Sequence, residues 1–241
     1  MTIGQRNDFD QDASSTCIEM FGSMSCPVGL QGIIADIERG FCKGLKPRLT
    51  DDGTSGTYIL RSTAKKALAV FKPIDEEAFA PNNPRDHVGP FGSSSFRAGV
   101  LSGEACIREV AAYLLDEDGF SGVPPTTMVE TTHDSFKTFK FSKMKIIADC
   151  NDYVDMISSI IAPENQAHNH EQGAKHEPAN SPDLLDNANM LKIGSLQGFA
   201  ASDGPIENFS SDLFSDDEIH KIAIIDLRIL NLDRNECNIL V

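Results

Sequence analysis

No stretch of this sequence comes near the roughly 20 consecutive apolar residues that a membrane-spanning helix requires. The N-terminus is polar where a secretory signal would be apolar. Both absences predict a cytoplasmic chain, peripheral at membranes if it meets them. Basic residues are scarce as well: 21 Lys and Arg stand against 36 Asp and Glu, a formal net charge of −15 with a pI near 4.7. Nucleic-acid binding needs a basic footprint, so it is excluded as a general role, although a local basic patch is not. Cysteine pairs at metal-ligand spacing are missing too. Cys17, Cys26, Cys42, Cys106, Cys150 and Cys237 include no C-x-x-C, which suggests neither a zinc site nor a disulfide framework. No internal repeat is visible. What is present is 241 residues, 40% hydrophobic, enough to bury the core of one medium domain or a two-lobed one.

Residues 1–29 are rich in Asp, Ser, Gln and Asn without a period and read as a disordered leader. Leu30, Ile33, Ile34, Ile37, Phe41 and Leu45 then recur at helical spacing, predicting an amphipathic helix that ends near Gly40 or Gly44. A β-hairpin follows, with strands Thr57–Arg61 and Ala67–Lys72. Its leading turn places Gly53 and Gly56 around Thr54-Ser55, so backbone N–H groups could approach phosphate oxygens with no Cβ in the way. This G-x-x-G matches neither the P-loop nor the Rossmann fingerprint, and hairpin glycines beside a solvated lysine are the plainer alternative. Lys72 closes the second strand and is pinned by Pro73. Asp75-Glu76-Glu77 reads as a solvated turn, and Pro81–Ser102 as a Gly/Ser/Pro-rich loop containing NNPR.

Glu104–Asp116 is a helix by propensity, started by Ser102, with Ile107, Val110, Ala111 and Leu114 as its apolar stripe and Glu109 on the opposite side. Pro124 and Pro125 set up an extended segment, and Phe136, Phe139 and Phe141 mark a short strand. Residues 162–189 are polar and aperiodic, a disordered insertion whose His168, His170 and His176 read as solvated residues rather than ligands. Ser215 and Glu218 fit a capping box at the start of a helix, and Ile222–Leu227 reads as a strand buried on both faces.

In the terminal turn Asp233 and Asn238 stand at the acid-to-amide separation of the H-R-D-x-x-x-x-N loop of protein kinases. There the carboxylate can accept the proton of an attacking hydroxyl and the amide oxygen can help hold Mg²⁺. Here the arginine follows the acid as Asp233-Arg234, an order closer to lipid kinases. An ordinary polar turn is the alternative for the isolated motif.

GTSGTY, AVFKPIDEE, NNPR, GEACIREVAAYLLD, GFSGVPPT, KIGSLQGF and HKIAIIDLRILNLDRNECNILV together resemble the phosphatidylinositol 3-/4-kinase superfamily, in particular the type II phosphatidylinositol 4-kinases and their plant gamma-like branch. The resemblance covers about Leu45 to Val241. It implies an α+β, two-lobed kinase-like fold: an N-lobe of antiparallel sheet plus helix with its hinge over 30–201, and an incomplete C-lobe beginning at 202–241. It also implies ATP and Mg²⁺ as cofactors. Gly53, Thr54, Ser55, Gly56 and Thr57 would cover the phosphates, Lys72 would bind them, and Glu109 would pair with Lys72. Gln197, Gly198, Phe199 and Ala200 would read the adenine; Asp233, Arg234 and Asn238 would be catalytic, with Asn238 on the metal. The second metal-binding Asp of such kinases does not appear before Val241, so the sequence reads as a fragment of a kinase. Phosphatidylinositol at a membrane surface is the implied substrate. A protein Ser/Thr kinase and a non-catalytic nucleotide-binding module remain the rival readings.

Overall fold

Alternate residues of the hairpin, Tyr58, Leu60, Ala69 and Phe71, point to one face and are buried there, as the two-residue period of a strand requires. The hairpin sits inside a six-stranded antiparallel sheet in a computed structural model that describes residues 17–96, 98–136, 191–231 and 234–241. Its strands are β1 (Ile18–Met20), β2 (Arg48–Leu49), β3 (Tyr58–Arg61), β4 (Ala67–Pro73), β5 (Thr126–Thr132) and β6 (Leu191–Gly198), in the spatial order β1-β5-β6-β4-β3-β2. Among the described residues three α-helices accompany them: α1 (Val28–Cys42), α2 (Ala105–Leu115) and α3 (Asp216–Ile229). This is the expected α+β fold, a partial kinase-like N-lobe.

The sheet is covered on both faces. On one, α1 lays Leu30, Ile34, Ile37 and Phe41 against Leu60, Phe71, Val129 and Leu196. Each such side chain stabilises the fold by about 1.5–3 kcal/mol when fully buried. On the other, Cys106, Ile107 and Val110 of α2 meet Ile74, Met128 and Ile193. Gly194 marks where the central strands pack most tightly. A Cβ there would stand 2.2 Å from the Lys72 carbonyl oxygen, so β4 and β6 can approach only over a glycine.

Several expectations are corrected. The leader does not extend to Gly29: Ile18–Met20 pair with Val129–Thr131, and Phe21 is buried, because a short apolar segment there completes the sheet edge. The apolar run Ile222–Leu227 is helical, part of α3. The Ser215–Glu218 capping box is present as expected and fixes the helix start, and acids in the first turn with Arg228 in the last suit the helix dipole. Ile225 is buried while Leu227 is 76% exposed, a one-sided burial no doubly buried strand would show. In α2 the stripe shifts to Cys106, Ile107 and Val110, and Leu114 is exposed. Phe136 lies in a turn, packed edge-on to Tyr58. Phe139, Phe141, the insertion 162–189, residues 1–16 and Asp233 lie outside the described residues.

Candidate functional site

β4 turns Val70 and Lys72 to the face opposite Phe71, into a cleft of about 780 Å³ between the sheet, α2 and α3. Lys72 faces Ser195 directly across the β4–β6 ladder. The two side chains converge on Glu109 of α2: the Lys72 ammonium is ion-paired with Oε1, and the Ser195 hydroxyl donates to Oε2 at 2.8 Å. The lysine side chain is 34% exposed and that of Glu109 25%, so the pair is oriented by protein yet open to the cleft.

Beyond Ser195, β6 runs out into Gln197, Gly198, Phe199 and Ala200, all of which line the same cleft. The segment is tied on both sides. The Gly198 N–H donates to the Pro125 carbonyl and the Phe199 N–H to that of Leu68, each at 2.9 Å, while the Gln197 amide donates to the Thr126 hydroxyl. Apolar walls come from Val70, Val123, Ile222 and Ile225.

The third wall is the C-terminal segment. Arg234 grips Asp226 of α3 with a two-pronged contact, Nε to Oδ2 at 2.8 Å and Nη2 to Oδ1 at 2.7 Å, and donates to the Asn238 carbonyl at 2.9 Å. Burial would raise the Asp226 carboxyl, but its bonds to Arg234 and Asn231 prevail and hold it below the ordinary aspartate range. Arg234 therefore braces the turn on which Asn238 sits. Asn238 lines the cleft.

The glycine turn is placed differently. None of Gly53 to Thr57 is among the cleft-lining residues; the turn packs instead on the segment that follows β4. The Gly56 N–H donates to the Glu76 carbonyl at 2.8 Å, and a Cβ on Gly56 would fall 2.2 Å from Glu76 Oε2. Asn83 donates to the Thr54 carbonyl at 2.8 Å, and Arg85 to those of Thr50, Asp51 and Asp52. NNPR is thus a staple for the turn. It carried the family resemblance in the sequence but no role.

Asp75, Glu76 and Glu77 form no solvated turn; all three are buried because each has dedicated partners. Lys192 of β6 lies 2.6 Å from Asp75 and 2.8 Å from Glu76. Burial opposes its charge, but the two carboxylates outweigh burial and raise its ammonium above the ordinary lysine value. Burial likewise pushes up the Glu76 carboxyl against Lys192, and the Tyr58 hydroxyl that donates to it at 2.7 Å. Glu77 accepts from the N–H groups of Gly103, Ala105 and Cys106 at 2.8, 3.0 and 2.8 Å. Burial still pushes its carboxyl up to about 7.

The paired lysine, the hinge-like strand end and the braced terminal turn share one cleft in the order the sequence motifs require, and the family model for phosphatidylinositol 3- and 4-kinase matches residues 53–241. The chain belongs to the phosphatidylinositol 3- and 4-kinase family. Among curated proteins it is 33% identical to phosphatidylinositol 4-kinase gamma 3 of Arabidopsis thaliana over 89% of its own length, and to gamma 6 over 98%. Gamma 7 of the same plant is 32% identical over 97%. The chain spans about a third of the length of these relatives, 30–32%. The cleft joins the Lys72–Glu109 pair to the strand end Gln197–Ala200. Among the described residues no helix is long and apolar enough to cross a membrane.

Proposed function

We propose that this family member is an ATP-dependent phosphotransferase acting on an inositol hydroxyl of phosphatidylinositol, at position 4 as in the named relatives. The observation that carries the reading is Lys72, held by Glu109 and facing Ser195, at the inner wall of a cleft whose rim is Gln197–Ala200. A nucleotide fits this donor set. The cleft offers an oriented ammonium for phosphate oxygens and apolar walls for a purine. With the Gly198 and Phe199 N–H groups already bonded, Ala200 is the hinge donor we assign to the base. Bound ATP would supply the phosphoryl group.

Lys72 neutralises phosphate charge, while Glu109 and Ser195 keep it aimed into the cleft. Asp233, by its place in the motif, takes the proton of the attacking hydroxyl as the new P–O bond forms and ADP leaves. Arg234 fixes the turn through Asp226, and Asn238 is the family's amide for magnesium. Among the described residues no group of three His, Cys, Asp or Glu is placed to hold a metal. Lys72→Met should weaken ATP binding about tenfold or more, roughly 1.4 kcal/mol, with little change in thermal stability. Unchanged affinity by calorimetry would reject the lysine assignment. Asp233→Asn should abolish most turnover on phosphatidylinositol vesicles with ATP affinity retained. Turnover on a generic protein substrate and none on vesicles would overturn the lipid reading.

A further inference from the structure

We propose that Glu77 is a positioning residue that locks α2 in the one placement where Glu109 reaches Lys72. The inference deepens the nucleotide-binding reading and rests on it. The first N–H groups of a helix lack partners within the helix, and here no local side chain supplies them. The N-cap residue Glu104 makes no capping bond, turning instead to the Leu101 N–H and Arg108. The Ser102 hydroxyl is buried without a hydrogen-bond partner among the described residues. Glu77 closes the turn from a distance, Oε2 on Gly103 and Ala105 and Oε1 on Cys106.

Glu77 belongs to the same stretch as Lys72, joined to it by Pro73 and the buried turn Ile74–Glu76. Glu109 follows Cys106 by three residues along α2, one turn on. Lys72, Glu109, the first turn of α2 and Glu77 therefore form a closed ring with two fastenings, one ionic and one of three backbone bonds. Kinases need such a lysine–glutamate pair in place, and the position of the helix controls it. If α2 swings from β4 it must release all three N–H groups, of which those of Gly103 and Cys106 are buried and that of Ala105 half-buried.

The test reads Lys72 directly, without turnover. Acetylation of Lys72 under native conditions, followed by mass spectrometry, is compared in the wild-type chain, Glu109→Gln and Glu77→Gln. Glu109→Gln sets the rate of an unpaired lysine. Glu77→Gln should rise several-fold toward that rate; a cap that served stability alone would lower the melting temperature and leave native-state labelling unchanged. Should Glu77→Gln not fold, Glu77→Asp, whose carboxyl falls short of the amides by one methylene, is expected to behave the same way. A wild-type labelling rate in whichever variant folds overturns the proposal. Calorimetry with ATP supplies the second arm: Glu77→Gln should weaken binding about tenfold and add nothing in a Glu109→Gln background, since both act through one pair. Additive losses count against the proposal. A wild-type chain that binds no ATP rejects the proposed function, and the labelling arm alone then decides the role of Glu77.

Discussion

Lys192 is the most deeply buried cation described, 3% exposed, and it is ion-paired with two carboxyl groups at once. Removing one partner of a buried ion cluster strands the others, a loss of about 3–5 kcal/mol. Lys192→Met should therefore unfold at much lower urea than wild type at pH 7. The gap should narrow as pH falls, because burial already pushes the Glu76 carboxyl up and, once protonated, it needs no counter-charge. Glu77 gives a separate pH signature. Its folded pKa, about 7, lies above the ordinary glutamate value of 4.5. A carboxyl raised on folding stabilises fully below its unfolded pKa and loses that contribution as pH rises through the folded one. Between about pH 4.5 and 7 the wild type should lose about 3 kcal/mol more stability than Glu77→Gln, whose amide does not titrate. Parallel stability curves for the two proteins would contradict the burial described for this side chain.

The glycine turn, β4 and α2 behave as one unit because the segment between them is stapled to all three. Arg85 holds the turn through three carbonyl oxygens, so Arg85→Ala should cost about 2 kcal/mol of stability without touching the cleft itself. Wild-type stability by denaturant titration would show that the staple is idle. Local pattern made much of this legible: the hairpin, α1, α2 and the Ser215–Glu218 box all follow from spacing within a few residues. Lys72, Glu109 and the strand end Gln197–Ala200 were also marked, and the fold brings them to one cleft. The acids were misread because their partners are remote; Lys192 lies 117 positions from Asp75, and no local rule distinguishes that pairing from a solvated turn. Ile222–Leu227 was misread for a different reason. A short apolar run fits a buried strand as well as a helix, and the capping box just before it should have decided the matter.

At the scale of the whole molecule, both long central strands, β4 and β6, are flanked on each side, and everything the cleft needs hangs from them. The family assignment extends over residues 53–241, yet the sheet reaches back beyond that span to Ile18–Met20. Those three residues have no part in the cleft. They occupy the outer hydrogen-bonding groups of β5, which would otherwise be an open template for a strand from another molecule. Trimming the chain to begin at Phe21 should therefore leave nucleotide binding intact while producing concentration-dependent association, visible as a rising apparent mass in sedimentation; a monodisperse trimmed chain would refute this. On this view β1 is a guard against self-association, three residues that protect the sheet edge and contribute nothing to the cleft.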